Sequence, residues 1–302
     1  MLSISTSWNV KRKFEIKEML AELKSTGLNT IEIGYHFKPE KLEEIISLLK
    51  PMGLTVSSVH NFCPRPDDGP SPRHISNYYR LSSVDEEERE KAVEWTKRSV
   101  DTANRVGCGF VVIHAGTVEM EELPYNILSK MFEAGNGHTE EFRQTKEKYL
   151  NLRKKKSPPH VEAVKKSLEE VLSYARSHHV RIGLETRFYP NEIPNFEEVG
   201  YFLRLFTDKG LVYWHDIGHA QANDRLKITS HEEYFKHYKD HLWGVHIHDC
   251  KGVEDHLAPF TGDINFKKIF SLIPKRASRI IEAHPPATVA QIKIAVKRLS
   301  EL

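Results

Sequence analysis

The stretch "LVYWHDIGHA" (211–220) starts as a buried strand, with Leu211, Val212, Tyr213 and Trp214 apolar or aromatic. It ends by presenting Asp216 and His219, with Gly218 between them. A turn with polar side chains would explain one such stretch. The same switch from an apolar run to an acid or an imidazole recurs along the chain, and the recurrence decides the fold. Upstream lie "LSISTSW" (2–8), "TIEIGYH" (30–36), "TVSSVHNF" (55–62), "FVVIHAG" (110–116) and "RIGLETR" (181–187). Downstream, after the 212–219 strand itself, come "LWGVHIHD" (242–249) and "RIIEAHP" (279–285).

Helical patterns fill the intervals. In 85–106, Ala92, Val93, Val100, Ala103 and Val106 recur at helical spacing while charged residues take the other face. Residues 161–179 repeat the pattern, and Ser157 with Pro158 and Pro159 predicts the start of that helix. Glycines in "STGLNT" and "KPMGLT" predict helix ends just before a strand. Eight strand–helix alternations in 302 residues predict a single (β/α)8 TIM barrel spanning 1–302. A doubly wound open sheet is the alternative, but no glycine-rich phosphate loop follows the first strand, so no nucleotide cofactor is expected. Two segments exceed ordinary loops: 62–84, rich in proline, and 117–159, ending in the basic run "RKKK" (153–156). Both follow a strand, where barrels place lids and substrate walls.

Composition narrows the function classes. A formal net charge of +2, from 44 basic and 42 acidic residues, provides no global field for nucleic acid or membrane. No apolar run reaches the length of a membrane span. The start "MLSISTSWNVKRKF" does not read as a signal peptide. The three cysteines, Cys63, Cys108 and Cys250, are odd in number and far apart, which suggests reduced thiols in a cytoplasmic protein.

In a barrel the strand ends converge on one mouth. Those ends carry His36, His60, His114, Glu185, Asp216 with His219, then His246, His248 and Asp249, and finally Glu282 with His284. A lone histidine there is usually structural. A carboxylate inside an apolar strand is harder to dismiss, because burying it without a partner costs several kcal/mol. Glu185, Asp216 and Glu282 would also repel one another. A divalent cation relieves both costs, and imidazole nitrogen with carboxylate oxygen suits zinc, manganese or a related ion. Glu185, Asp216, His246 and Glu282 are therefore the expected metal set. His246 is taken ahead of His248 on the ground that alternation turns only one of them inward. His60, His114 and His219 are candidates for further metal or substrate contacts. His36 and His284 are assigned no catalytic part.

These motifs resemble the xylose isomerase-like TIM barrels, which include sugar isomerases and epimerases and the zinc-dependent AP endonucleases. "SSVHNF", "VVIHAG", "GLETR", "HDIGHA", "GVHIHDCKG", "DHLAPFTGDINF" and "IIEAHP" carry the resemblance across nearly the whole chain. It implies a core metal set of Glu185, Asp216, His246 and Glu282. The endonuclease branch builds a trinuclear zinc site, and its added ligands match His60, His114, His219 and His256. Its remaining aspartate position is Glu254 here, with Asp255 one step off. "LSSVDEEERE" and "HLAPFTGDINF" look more like the sugar branch.

The resemblance leads to a metal-dependent isomerase or epimerase acting on a sugar or sugar phosphate. Proton transfer beside a carbonyl needs the developing enediolate stabilised, which a cation does as a Lewis acid. The resemblance suggests Glu185 and Glu282 as the acid–base pair and His219 as the holder of a substrate hydroxyl. Arg187 and Lys251 are candidates for substrate contacts, and Trp8 and Phe62 for an apolar wall or simple core. The alternative is a zinc-dependent endonuclease cleaving phosphodiesters at abasic DNA sites, supported by the extra histidines and "RKKK". The expected cofactor is Mn2+ or Zn2+, with room for more than one ion. The expected partner is a small sugar-like molecule, with DNA only under the alternative, no membrane, and scope for a homo-oligomer.

Overall fold

The computed structural model describes residues 1–12, 15–67, 78–122 and 124–302. Eight parallel strands close into a barrel: β1 (Leu2–Ser5), β2 (Thr30–Ile33), β3 (Thr55–His60), β4 (Phe110–Ile113), β6 (Arg181–Glu185), β8 (Leu211–Asp216), β9 (Leu242–Ile247) and β12 (Ser278–Ile281). Closure is through β1, which pairs with β12 (Leu2 opposite Arg279) and with β2 (Ile4 opposite Ile31). The expected strands are all present, so the chain is a (β/α)8 TIM barrel.

The outer ring is α1 (Ile16–Ser25), α2 (Pro39–Leu49), α3 (Glu86–Arg105), α5 (Glu140–Ser177), α6 (Phe196–Phe206), α8 (His231–Tyr238), α9 (Phe266–Phe270) and α10 (Val289–Ser300). Asp85 caps α3 by accepting from the Glu87 amide, the start its sequence predicts. Gly27 and Gly53, past α1 and α2, sit at φ +93° and +64°, where a side chain would be strained.

The 117–159 segment is not a loop. It holds the short strand β5 (Gly116–Thr117), which pairs with β7 (Glu192–Ile193), the helix α4 (Pro124–Glu133), and the first half of α5. Leu128 and Phe142 from these helices pack with Leu226 and Val253 in an apolar cluster separate from the main core. The expected helix start at Ser157 is overturned, because α5 runs straight through Pro158 and Pro159. Each interior proline removes a backbone donor and costs about 3 kcal/mol. The Ser157 hydroxyl covers part of that loss by donating to the Lys154 carbonyl at 3.2 Å. Tertiary contacts on both sides of the prolines hold the helix. Arg153 forks onto Glu198 at 2.7 Å through both terminal nitrogens, and His160 Nδ1 lies 2.9 Å from the Ser82 carbonyl. "RKKK" is thus mid-helix, with Arg153 buried. Of the expected 62–84 segment, residues 68–77 lie outside the described residues.

The barrel interior shows the strand parity directly. Trp214 is fully buried and packs with Val112 and Ile280. Its indole needs the space left by Gly183 and Gly244, where an added Cβ would lie 2.9 and 2.3 Å from the ring. Two residues further along the same strands, on the same face, come Glu185, Asp216, His246 and Glu282. The apolar layer is the floor of the site above it.

Candidate active site

The mouth is a cavity of about 240 Å³ lined by Tyr35, His60, His114, Glu185, Phe188, His219, Glu282 and neighbours. At its base Glu185, Asp216, His246 and Glu282 each place a ligand-type atom within 4.8 Å of the others. All four are almost fully buried. His246 is central. Its Nδ1 lies 2.6 Å from Glu185 Oε1, 3.0 Å from Glu282 Oε2 and 3.8 Å from Asp216 Oδ2. On the far side of the ring, Nε2 lies 3.1 Å from Glu32 Oε2.

Carboxylates this close repel by roughly 3–4 kcal/mol per pair at an effective dielectric near 20. Five acids meet here: Glu32, Glu185, Glu192, Asp216 and Glu282. Arg187, His246 and His248 face them, so negative charge is in excess. Burial works to raise the Glu185 carboxyl, but His114, Arg187 and His246 hold it well below the ordinary range. Glu282 is likewise lowered, against burial, by His246. The same carboxylates hold the His246 imidazole well above its ordinary value although burial opposes them. Oxygen and imidazole donors, buried, convergent and short of positive charge, fit a divalent cation.

The additional histidines divide into two groups. His114 Nε2 contacts Glu185 Oε2 at 2.7 Å, and His60 Nε2 lies 3.9 Å from the same oxygen. His219 sits in the first turn of α7 (Ile217–Arg225), where the Asp216 carboxylate caps the helix through the His219 amide. The expected strand 212–219 therefore stops at Asp216. His219 Nδ1 lies 3.0 Å from the Thr186 carbonyl, which turns Nε2 towards Asp255 Oδ2 at 3.5 Å. His256 lies in the ribbon formed by β10 (Asp249–Lys251) and β11 (Glu254–Leu257), with Nδ1 2.9 Å from the same Asp255 oxygen. Asp255, not Glu254, is the acid of this group, and Glu254 is exposed. His284 also lines the mouth, stacked on His256 with centroids 3.9 Å apart.

Several expectations change. His246, in β9, and His248, one residue past its end, both face the acids, His246 at Glu185 and His248 at Asp216, so alternation does not choose between them. His248 sits a layer higher, with Nε2 2.9 Å from Asp216 Oδ1 and Nδ1 accepting from the His256 amide. Arg187 lines the mouth, but its terminal nitrogens bind Glu185 at 2.5 Å and Glu192 at 2.8 Å. It is the counter-ion of both Glu185 and Glu192. Lys251 is exposed on the outer ribbon, away from the mouth lining. Trp8 and Phe62 are core residues. His36 lies outside the cluster, and burial pushes its imidazole down to about 3.

Glu32 escaped the sequence reading, and Asp255 entered it only as a neighbour of Glu254. Glu32 shows the same signal as Glu185, an acid inside an apolar strand, in "TIEIG".

The xylose isomerase-like TIM barrel family model matches residues 20–298, and the chain belongs to that family. No curated protein matches the sequence. Among solved structures the chain is similar to a D-tagatose 3-epimerase-like protein, at 17% identity and TM-score 0.66, covering 99% of this chain and 96% of that one. It is similar to the 3-keto-D-glucoside 4-epimerase of E. coli, at 14% identity and TM-score 0.69, covering 100% and 99%. It is also similar to a D-allulose 3-epimerase from Methylomonas sp. solved with D-allulose, at 13% identity and TM-score 0.68, covering 99% and 96%. At these identities the likeness establishes the fold.

Proposed function

We propose that the protein is a divalent-metal-dependent sugar isomerase or epimerase. One observation carries the reading: Glu185 and Glu282 reach the same mouth from opposite sides of His246, each within 3.0 Å of its Nδ1. Glu185, Asp216, His246 and Glu282 would hold the ion, which as a Lewis acid would polarise a substrate carbonyl and its neighbouring hydroxyl. One glutamate takes the proton from the carbon beside the carbonyl, leaving the electron pair as an enediolate. The other glutamate returns a proton to the opposite face of that carbon or to the adjacent one. The lowered values of both suit the one that acts as base; the donor takes up a proton from solvent before the return step, and the proton held by the base is released to solvent after turnover. Arg187 keeps Glu185 in place through the Glu192 bridge, and His219 Nε2 faces the mouth where a substrate hydroxyl would lie. The named substrates of the epimerases similar in structure are consistent with a ketose or keto-sugar.

A second reading rests on the two outer groups. His60 and His114 beside Glu185, and His219, His256 and Asp255 beyond Asp216, supply donors for further ions, as zinc-dependent phosphodiester cleavage at abasic sites would use. Against it, Arg153 is locked onto Glu198, so "RKKK" does not form a continuous basic face.

The deciding experiment loads the ion-stripped protein with Mn2+ or Zn2+ and follows exchange of the carbon-bound hydrogen in D2O over a panel of ketoses. Exchange in the wild type is expected, with Glu185→Gln and Glu282→Gln each at least ~100-fold slower. Full activity in either variant removes the acid–base assignment. Chelator-sensitive nicking of abasic DNA without exchange selects the second reading.

A further inference from the structure

We propose that Glu32 is a positioning residue that aims the His246 ring at the ion-binding carboxylates. The inference rests on reading those carboxylates as cation ligands. Glu32 lies in β2, paired with Ser5 on one side and Ser58 on the other, with no exposed surface. Its Oε2 accepts from the Ser58 hydroxyl at 2.7 Å and faces His246 Nε2 at 3.1 Å. Its Oε1 is buried without a hydrogen-bond partner.

An imidazole that ligates a cation offers one nitrogen's lone pair and carries its proton on the other. In this barrel the two nitrogens face different surroundings. Nδ1 meets Glu185, Glu282 and Asp216, whereas Nε2 meets Glu32. The rings beside His246 cannot replace that contact: His60 stacks on it at 5.7 Å and Trp214 meets it edge-on at 5.8 Å. A carboxylate accepting from Nε2–H selects one tautomer, locks the ring about its torsions and makes Nδ1 a better donor to an ion. Ser58 in turn fixes the carboxylate. The position also explains a fully buried acid set behind the His246 ring. Glu32 is not among the residues lining the mouth, so it reaches the site through His246.

The test uses the full chain, stripped of ions, with Glu32→Gln, Glu32→Ala and Ser58→Ala. Affinity for Mn2+ and for Zn2+ is measured by titration calorimetry. Thermal unfolding of the ion-free forms reports on folding. The His246 ring nitrogens are read by NMR in the diamagnetic Zn2+ form. Glu32→Gln and Glu32→Ala should bind either ion about 10–100-fold more weakly. Ser58→Ala should show a smaller loss. Glu32→Gln should melt as the wild type does without ions, and the Nε2–H proton of its zinc-bound His246 should shift upfield as the charge-assisted hydrogen bond to the carboxylate is lost. A merely structural role would move the melting point and spare the affinity. If Glu32→Ala does not fold, Glu32→Gln and Ser58→Ala still decide. Wild-type affinity and an unshifted Nε2–H proton in Glu32→Gln overturn the proposal alone. A wild type that takes up neither ion overturns the parent reading as well.

Discussion

Removing the Arg153 fork tests how α5 is tied to the site. Arg153 and Glu198 are 3% and 8% exposed, joined by two 2.7 Å bonds, and Arg153 also donates to the Glu192 carbonyl at 2.7 Å. Glu192 in turn holds Arg187, which holds Glu185. In Arg153→Met, Glu198 keeps only its helix-capping contact from the Asn195 amide. An uncompensated buried charge of this kind costs about 3–5 kcal/mol. At about 2.1 cal/mol/K per residue, a 302-residue chain unfolds with an entropy of roughly 0.6 kcal/mol/K. The melting point should therefore fall by about 5–8 °C. Adding Glu198→Met removes the stranded charge and should recover most of the loss. Urea unfolding of the two single variants and the double variant gives the coupling energy directly. A loss below about 1 kcal/mol in Arg153→Met, or a double variant no better than the single, would refute the argument.

Two further outcomes follow from the floor and flank of the barrel. Gly244→Ala puts a Cβ 2.3 Å from the Trp214 ring and should cost about 1–3 kcal/mol in urea unfolding, partly restored by adding Trp214→Leu; a fully stable Gly244→Ala chain would contradict the packing. His231 is buried at the start of α8, bonded to His215, and burial pushes its imidazole down to about 4 from 6.5. The folded chain keeps it neutral while the unfolded chain protonates it, so its contribution is whole above about pH 6.5 and is lost as pH falls towards 4. The loss is on the order of 3 kcal/mol by pH 4. His231→Asn should flatten the stability curve over that window, and an unchanged slope would show that the titrating group lies elsewhere.

The barrel was legible because its causes are local. Period-two runs, helical spacing and glycine stops act within a few residues, and each survived folding with its ends moved by a few positions, apart from the start of α5, which lies at Glu140 and not at Ser157. The set Glu185, Asp216, His246 and Glu282 was legible for a related reason. An acid inside an apolar strand demands a partner, and barrel topology brings strand ends to one rim. The same logic applied to Glu32, but it lies mid-strand, where no mouth motif drew attention to it.

What the sequence by itself determined is therefore the alternation of strands and helices and the identity of the acids that gather at one rim. Only the tertiary structure decided where neighbouring side chains spend their hydrogen bonds. Arg187 turns out to be the partner of two glutamates, Asp255 takes the place offered to Glu254, and α5 continues through Pro158 and Pro159. Each outcome depends on groups distant in the chain: Glu192 from a separate strand, His219 from another helix, Glu198 and Ser82 against α5. Propensity and spacing carry no information about such partners, because a long-range ion pair is chosen by the geometry of the closed barrel.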